Sequence, residues 1–177
     1  MNSQMGVLLL GGRGTRLWPL TDSINKHFLP IHDKPMFYYP LSLMLLIGIR
    51  KVAIVSNESD VPKLQELLGN GERLGIEIEY VVQAEAKGIA DAILAVEALD
   101  CKSDGLFVVL GDNFFYGENL PALLLQLCDT KGAGCFYHRV RDPEKFGVAR
   151  FNSEGDLVEI VEKPTDPLSD LAVPGVY

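Results

Sequence analysis

Short apolar runs alternate with helix-like segments along the first part of the chain. Residues 7–10, 51–56 and 106–110 form nearly continuous apolar runs, which are typical of strands buried on both faces of a parallel sheet. Residues 61–68 and 88–99 instead carry apolar positions at helical spacing. Because strands alternate with helices, the pattern predicts an α/β fold, Rossmann-like and doubly wound around a mostly parallel sheet.

The later part of the chain predicts antiparallel structure. Residues 147–151 and 157–161 flank a turn-forming segment and therefore predict a late hairpin, which would make the sheet mixed. Residues 134–140 predict a further strand. Nearer the beginning, the Asp-Lys-Pro sequence at 33–35 predicts the start of a helix that continues to about residue 47, because proline suits the first turn.

A glycine-rich loop follows the first predicted strand. Gly11, Gly12 and Gly14 lie close together in the sequence, so backbone N–H groups can approach a ligand closely. Arg16 and Lys26 bring positive charge to the same end of the sheet, and a phosphate suits this chemistry best. The loop lacks both the Gly-Lys-Ser/Thr of one common phosphate loop and the third glycine of the dinucleotide motif. Taken alone, a glycine turn with a solvated arginine explains it equally well.

Polar side chains stand at the ends of two other predicted strands. Asp112 follows residues 106–110, and Gln83 follows residues 76–82. Ligands in such folds bind beyond the carboxyl ends of the strands, so both side chains are expected near the glycine loop. Asp112 is a candidate Mg²⁺ ligand beside phosphate oxygens, or alternatively a cap of the next segment. Gln83 is a candidate for binding a base edge, or alternatively an ordinary turn residue.

Charge and composition exclude several classes of protein. The net charge of −8 disfavours a nucleic acid or an anionic membrane surface as a partner. Residues 1–50, however, hold five Lys and Arg against two Asp and Glu, a net charge of +3 around the loop. Three cysteines without paired or metal-type spacing favour a reducing cytoplasm. The most apolar run, residues 41–49, is much shorter than the ~20 residues of a membrane span.

Several motifs, taken in order, carry a resemblance to a known family. The loop at residues 11–19, with Lys26 and the Asp-Lys-Pro-Met sequence at 33–36, resembles the signature of sugar-1-phosphate nucleotidyltransferases. Further segments resemble the glucose-1-phosphate thymidylyltransferase branch, namely 111–117, 142–148 and 162–164. The resemblance implies a nucleotide-diphospho-sugar transferase fold. It also implies condensation of a nucleoside triphosphate with a sugar 1-phosphate, with release of pyrophosphate.

The resemblance further implies a role for each matching residue. The catalytic residues, which would stabilise the α-phosphate and the departing pyrophosphate, are Arg16 and Lys26. The nucleotide-binding residues, the last two of them at the base, are Gly11, Gly12, Gly14, Thr15, Gln83 and Gly88. Asp112 would bind the cofactor Mg²⁺. The residues that would hold the sugar phosphate are Gly147, Glu162, Lys163 and Tyr177.

The resemblance favours dTTP as the donor and glucose 1-phosphate as the acceptor. UTP with the same sugar phosphate is one alternative. Another is a truncated paralogue that binds nucleotide or sugar phosphate without catalysis. Four features depart from the family pattern, and one of them is the stretch at residues 84–87, which replaces a proline-bearing stretch beside the base. Leu10 replaces a small residue and is expected to crowd the nucleoside, His27 replaces a glutamine near the nucleotide's sugar, and Asp91 replaces another glutamine.

Chains of this family continue beyond the position of Tyr177, so we expect residues 1–177 to be a catalytic domain without the family's C-terminal part. That part carries a second magnesium aspartate, some sugar contacts and much of the subunit interface. The full-length form is expected to be a cytoplasmic homo-oligomer. The domain alone is expected to bind magnesium nucleotide, and to turn over sugar 1-phosphate slowly or not at all, because small misplacements of reacting groups are costly.

Overall fold

The computed structural model describes residues 4–12, 14, 17–85, 87–99 and 103–177, which belong to two compact units, Met1–Asp129 and Thr130–Tyr177. In the first unit the described elements are β1 (Met5–Leu9), β2 (Pro30–Ile31), β3 (Lys34–Pro35), α1 (Tyr38–Leu46), β4 (Lys51–Ser56), α2 (Val61–Leu68), β5 (Glu77–Val82), α3 (Ile89–Glu97), β6 (Leu106–Leu110) and α4 (Leu120–Cys128). In the second unit they are β7 (His138–Arg139), β8 (Gly147–Phe151), β9 (Leu157–Glu162) and β10 (Leu171–Val173). None of the described helices is long and apolar enough to cross a membrane.

A parallel sheet forms the centre of the first unit. Its strands lie in the order β5-β4-β1-β6, and every pairing is parallel. All five residues of β1 are buried, as expected for a strand with neighbours on both edges and helices α1 and α3 packed against it. The predicted α/β fold with a parallel sheet is therefore confirmed.

The second unit is built on an antiparallel sheet of its own. The predicted hairpin is present as β8 and β9, with Gly147 opposite Glu162. The strand order is β7-β10-β8-β9. Strand β8 therefore pairs with β9 on one side and with β10 on the other, where Ala172 lies opposite Val148. The antiparallel strands therefore pair with one another, whereas the sequence predicted that they would extend the parallel sheet. Strand β9 is one of the two edge strands of this sheet, and all six of its residues are exposed.

Helix α1 begins later than the sequence predicts. The Lys34–Pro35 segment pairs antiparallel with Pro30–Ile31, with Ile31 opposite Lys34, so the chain is extended where a helix start was expected. The helix then begins at Tyr38, and Pro40 lies in its first turn, where the missing N–H has no intrahelical partner to lose. The predicted strand at 134–140 is likewise reduced to His138–Arg139.

Gly111, directly after β6, is packed too tightly for any side chain. A Cβ at this position would clash with Leu10 Cδ2 and would lie 2.9 Å from both the Leu9 carbonyl oxygen and His27 Cδ2. We expect Gly111→Ala to lower the free energy of unfolding by about 1–3 kcal/mol, the usual cost of overpacking. Denaturant titration measures this change.

Gly105 provides the matched control for that substitution. A Cβ there would lie 3.8 Å from Gln4 Cγ, its nearest neighbour, which is an ordinary contact distance. Gly105→Ala should therefore leave the stability unchanged or raise it slightly, because alanine restricts the unfolded chain. Equal stabilities of the two variants would contradict the packing argument.

Candidate active site

Lys26 and Asp112 form an ion pair at the carboxyl end of the parallel sheet. Lys26 begins a short 3₁₀ turn, Lys26–Phe28, and Asp112 lies two residues after β6. Lys26 Nζ donates to Asp112 Oδ2 at 2.5 Å, and the two side chains are 19% and 37% exposed. The structure thus brings together the predicted catalytic lysine and the predicted magnesium ligand.

The charge state of Asp112 depends on Lys26. Burial by itself would raise the pKa of Asp112, but the hydrogen bond and positive charge of Lys26 outweigh it and hold the pKa below its ordinary value. The carboxylate is therefore ionised at neutral pH. An ionised oxygen beside an ammonium group offers both a ligand for a hard cation and a partner for a phosphate.

The glycine loop lies against Lys26. Gly12 has φ of +108° and Gly14 has φ of +60°, which glycine adopts without the strain of a Cβ. A Cβ on Gly14 would lie 3.0 Å from Lys26 Cβ, and one on Gly12 would lie 3.9 Å from Lys26 Nζ. Thr21 Oγ1 donates to the Gly14 carbonyl at 2.9 Å, and this hydrogen bond holds the loop in place. The predicted residues Thr15 and Arg16 lie outside the described residues.

A cavity of about 880 Å³ opens beside the loop. Three of the predicted nucleotide-binding residues line it, namely Gly11, Gly12 and Gln83. Its volume lies within the range of small-molecule sites. The sequence analysis did not single out Asn25, Asn57, Asp60 or Lys63, which also line the cavity.

The side chain of Gln83 is fixed by two hydrogen bonds. Its Nε2 donates to Asp91 Oδ2 at 2.7 Å and to the Gly88 carbonyl oxygen at 3.3 Å. Its backbone N–H donates to the Ser56 carbonyl at 2.8 Å, beyond the last residue of β5. The two residues predicted to bind the base, Gln83 and Gly88, are therefore in contact with each other, and Asp91 contacts Gln83 as well.

Neither Leu10 nor His27 is among the described residues that line the cavity. Leu10 is 1% exposed and its side chain packs at Gly111, so the expectation that it crowds the nucleoside is wrong. His27 is also 1% exposed, and its Nδ1 lies 2.8 Å from Asn25 Oδ1. Its ring is therefore buried beneath the site, whereas the family's glutamine was expected near the nucleotide's sugar.

Asn25 connects this buried histidine to two other elements. Its Nδ2 donates to the Leu10 carbonyl at 3.1 Å and to Asp60 Oδ2 at 2.6 Å, while its Oδ1 accepts from the backbone N–H of His27 at 3.2 Å. Asn25 is the cap of the turn that presents Lys26. The preference of asparagine for cap positions is the sequence signal that identifies it.

His27 is held in its neutral form. Burial is the largest cause, and the charge of Lys26 adds to it; together they lower the pKa of His27 from 6.5 to about 4. The nearby carboxylates Asp112 and Asp60 oppose this shift without reversing it. At neutral pH the ring is therefore an uncharged neighbour of Lys26 and adds no charge to the site.

Three of the predicted sugar-phosphate residues meet at one end of the β8–β9 hairpin in the second unit. Lys163 Nζ lies 2.8 Å from Glu162 Oε1, and a Cβ on Gly147 would lie 3.2 Å from Glu162 Oε2. Burial raises the pKa of the fourth, Tyr177, and the charges of Cys135 and Glu162 add to this effect. Because an exposed ion pair contributes little to stability, Glu162 and Lys163 are free to exchange their mutual contact for a ligand.

The donor set fits magnesium only together with a substrate. Among the described residues no group of three or more His, Cys, Asp or Glu side chains is arranged to hold a metal ion. Asp112 supplies one ionised carboxylate. Mg²⁺ accepts one or two carboxylates when phosphate oxygens and water complete its shell, so Asp112 suits a magnesium that arrives with a nucleotide.

Comparison with known proteins gives a consistent result. The nucleotidyl transferase family model matches residues 5–177. The glucose-1-phosphate thymidylyltransferase of Neisseria meningitidis serogroup A / serotype 4A is 44% identical over 173 residues, which are 97% of this chain and 60% of that protein. The enzyme of the same name from Xanthomonas campestris pv. campestris strain B100 is 41% identical over 179 residues, 100% of this chain and 60% of that protein. The chain thus spans about 60% of the length of these curated relatives.

Solved structures agree with the sequence relatives. A Bacillus anthracis protein assigned as a glucose-1-phosphate thymidylyltransferase, crystallised with sucrose, has a TM-score of 0.83 and 34% identity; the match covers 97% of this chain and 70% of that chain. A UDP-glucose pyrophosphorylase complexed with UDP-glucose has a TM-score of 0.77 and 26% identity, covering 99% of this chain and 75% of that chain. With the glycine loop, the Lys26–Asp112 pair and these matches together, the chain belongs to the nucleotidyl transferase family.

Proposed function

We propose that the chain transfers a nucleotidyl group from a pyrimidine nucleoside triphosphate, dTTP, to glucose 1-phosphate, and so produces a nucleotide sugar and pyrophosphate. The observation that carries the proposal is the Lys26–Asp112 pair beneath the glycine loop. Lys26 provides a cation for phosphate, and Asp112 provides an anion for magnesium at the same place. A protein that only binds nucleotide does not need this combination. The names of the relatives support the choice of donor and acceptor.

In this reaction an oxygen of the sugar phosphate attacks the α-phosphorus in line as the bond to pyrophosphate breaks, so the chain needs no covalent intermediate. Catalysis then consists of positioning and charge neutralisation. Lys26 neutralises charge on the α-phosphate and the departing pyrophosphate, and we assign Arg16 the same task. Asp112 would hold Mg²⁺, which when bound neutralises phosphate charge. The backbone at Gly12 and Gly14 approaches the phosphates closely.

The remaining predicted residues bind the two substrates. Gln83 and Gly88 hold the base at the end of β5. In the second unit, Glu162 accepts from a sugar hydroxyl and Lys163 binds the sugar's phosphate, with Gly147 and Tyr177 beside them. We place the reaction in the cytoplasm, because the described cysteines Cys128 and Cys135 are free thiols, as a reducing compartment leaves them.

The test is carried out on the 177-residue chain with Mg²⁺, dTTP and glucose 1-phosphate. We expect calorimetry to show binding of dTTP, and we expect slow release of pyrophosphate that depends on glucose 1-phosphate. Absence of dTTP binding would contradict the proposal. Binding without any pyrophosphate release would replace it with the alternative of a non-catalytic nucleotide-binding protein.

Uridylyl transfer is the second candidate, because one observation favours it. The match to the UDP-glucose pyrophosphorylase structure extends over 99% of this chain. Thymine and uracil differ by a methyl group and present the same N3–H donor to the oxygen of Gln83. Comparing the rates of pyrophosphate release with dTTP and with UTP distinguishes the two donors.

We also predict that pyrimidine triphosphates bind more tightly than purine triphosphates, by about tenfold or more. Gln83 lines the cavity, and we expect its amide oxygen to accept from the N3–H of thymine or uracil. Titration with dTTP, UTP, ATP and GTP measures this preference. Tighter binding of ATP or GTP would refute the assignment of Gln83 to the base.

A further inference from the structure

The amide of Gln83 can be oriented in only one way that satisfies its neighbours. Its two partners, the Asp91 carboxylate and the Gly88 carbonyl, are both hydrogen-bond acceptors. Only the NH₂ end of the amide can donate to them. The reversed orientation would place the amide oxygen against two other oxygens and leave the NH₂ without these bonds.

This orientation turns the oxygen of Gln83 toward the glycine loop. Oε1 is the nearest atom to the position of a Cβ on Gly11, at 3.7 Å, and both residues line the cavity. The end of β5 therefore presents a hydrogen-bond acceptor, rather than an amide free to turn, to whatever occupies the cavity.

Asp91 contributes more to this orientation than Gly88 does. Its bond to Nε2 is 2.7 Å long, compared with 3.3 Å to the Gly88 carbonyl, and a bond to an ionised acceptor is roughly twice as strong as one between neutral groups. Asp91 also lies in the first turn of α3, where the helix dipole favours a carboxylate. The carbonyl of Gly88 belongs to the backbone and is present in every variant.

We propose that Asp91 is a positioning residue that sets base specificity, by holding Gln83 with its carbonyl oxygen facing the nucleotide. This inference rests on the proposed function, because it assumes a nucleotide in the cavity. Thymine and uracil have an N3–H, which donates to this oxygen. Cytosine has an unprotonated N3, and two acceptors facing each other would both lose a partner. The site would therefore select dTTP and UTP and reject CTP.

The experiment compares the Mg²⁺ complexes of UTP and CTP by calorimetric titration. We expect the wild-type chain to prefer UTP by about 10- to 100-fold, the cost of one unpaired buried polar group. Asp91→Leu replaces the carboxylate acceptor with an apolar side chain of similar size. The Gln83 amide can then turn and offer its NH₂ to cytosine. The preference should then decrease about tenfold, the loss of one charge-assisted hydrogen bond.

Two further variants separate this role from a purely structural one. Asp91→Glu retains an ionised acceptor and should preserve most of the preference for UTP. Glu97→Leu removes an exposed carboxylate from the other end of the same helix and should leave the preference unchanged. A structural effect on the site would weaken UTP and CTP binding equally.

The outcomes distinguish failure of this inference from failure of the proposed function. An unchanged ratio of UTP to CTP affinity in Asp91→Leu would overturn the role of Asp91 and leave nucleotide binding intact. Equal affinities of the wild-type chain for UTP and CTP would overturn it as well. A wild-type chain that binds no pyrimidine triphosphate would contradict the proposed function itself.

Discussion

Replacement of Lys26 by alanine should reduce turnover by about 10²- to 10³-fold, the scale on which enzymes depend on one electrostatic stabiliser of the transition state. The Lys26 side chain is only 19% exposed and its Nζ lies 2.5 Å from Asp112 Oδ2, so water replaces the ammonium group poorly. Nucleotide affinity should decrease less, because the charge that Lys26 meets grows as pyrophosphate departs. Pyrophosphate release, measured in an active full-length context, gives the turnover, and calorimetry gives the affinity.

The control for this substitution is Lys51→Ala. Lys51 is 62% exposed and lies 3.7 Å from Glu77 on the neighbouring strand, so its removal should leave turnover unchanged. Lys26→Ala should also raise the pKa of Asp112, because burial is then no longer outweighed by the ammonium group. Wild-type turnover in Lys26→Ala would show that the lysine has no part in transfer.

Folding stability should decrease by about 3 kcal/mol as the pH falls from 6.5 to 4 because of His27 alone. Burial, followed by the charge of Lys26, lowers the pKa of His27 from 6.5 to about 4. Between these values the unfolded chain binds a proton at His27 and the folded chain does not. Each pKa unit of difference corresponds to about 1.4 kcal/mol. Above pH 6.5 neither state binds the proton, so the contribution of His27 is then fully retained.

Urea titrations of the wild type and of His27→Gln over this pH range measure the effect. Carboxylates contribute to acid destabilisation in both proteins, so the difference between the two slopes reports His27. His138→Gln, which removes an exposed histidine, is the matched substitution for comparison. Identical slopes for the wild type and His27→Gln would mean that His27 does not remain neutral in the folded chain.

The parallel sheet was predictable from the sequence because burial on both faces requires continuous apolar runs. Strand β4 and helix α2 have the predicted bounds, Lys51–Ser56 and Val61–Leu68. The start of α1 was not predictable in this way. The local preference of Pro35 for a first helical turn is overridden by a tight hairpin, in which residues 34–35 pair with residues 30–31 and the Met36 N–H donates to the Leu29 carbonyl at 3.0 Å. Strands of two residues are too short to leave a periodic signal.

Part of the site was also predictable. Asp112 follows a buried parallel strand, and the carboxyl ends of such strands meet, so its closeness to the loop and Lys26 follows from topology. The contacts of Asn25 with Asp60 and of Gln83 with Asp91 depend on the directions of single side chains from different elements. The same holds for Leu10, whose side chain turns to Gly111. Hydrophobic patterning carries no information on such directions.

The position of β1 in the sheet has a consequence for the synthesis of the chain. Residues Met5–Leu9 are made before both of their partners, which are Lys51–Ser56 on one side and Leu106–Leu110 on the other. At typical rates of translation, the ~100 residues between β1 and β6 take about 5–20 s to make. During that time one edge of an entirely apolar strand has no partner. Until β6 has been made, strand β1 is therefore open to association with other chains, and a chaperone that covered it would prevent this.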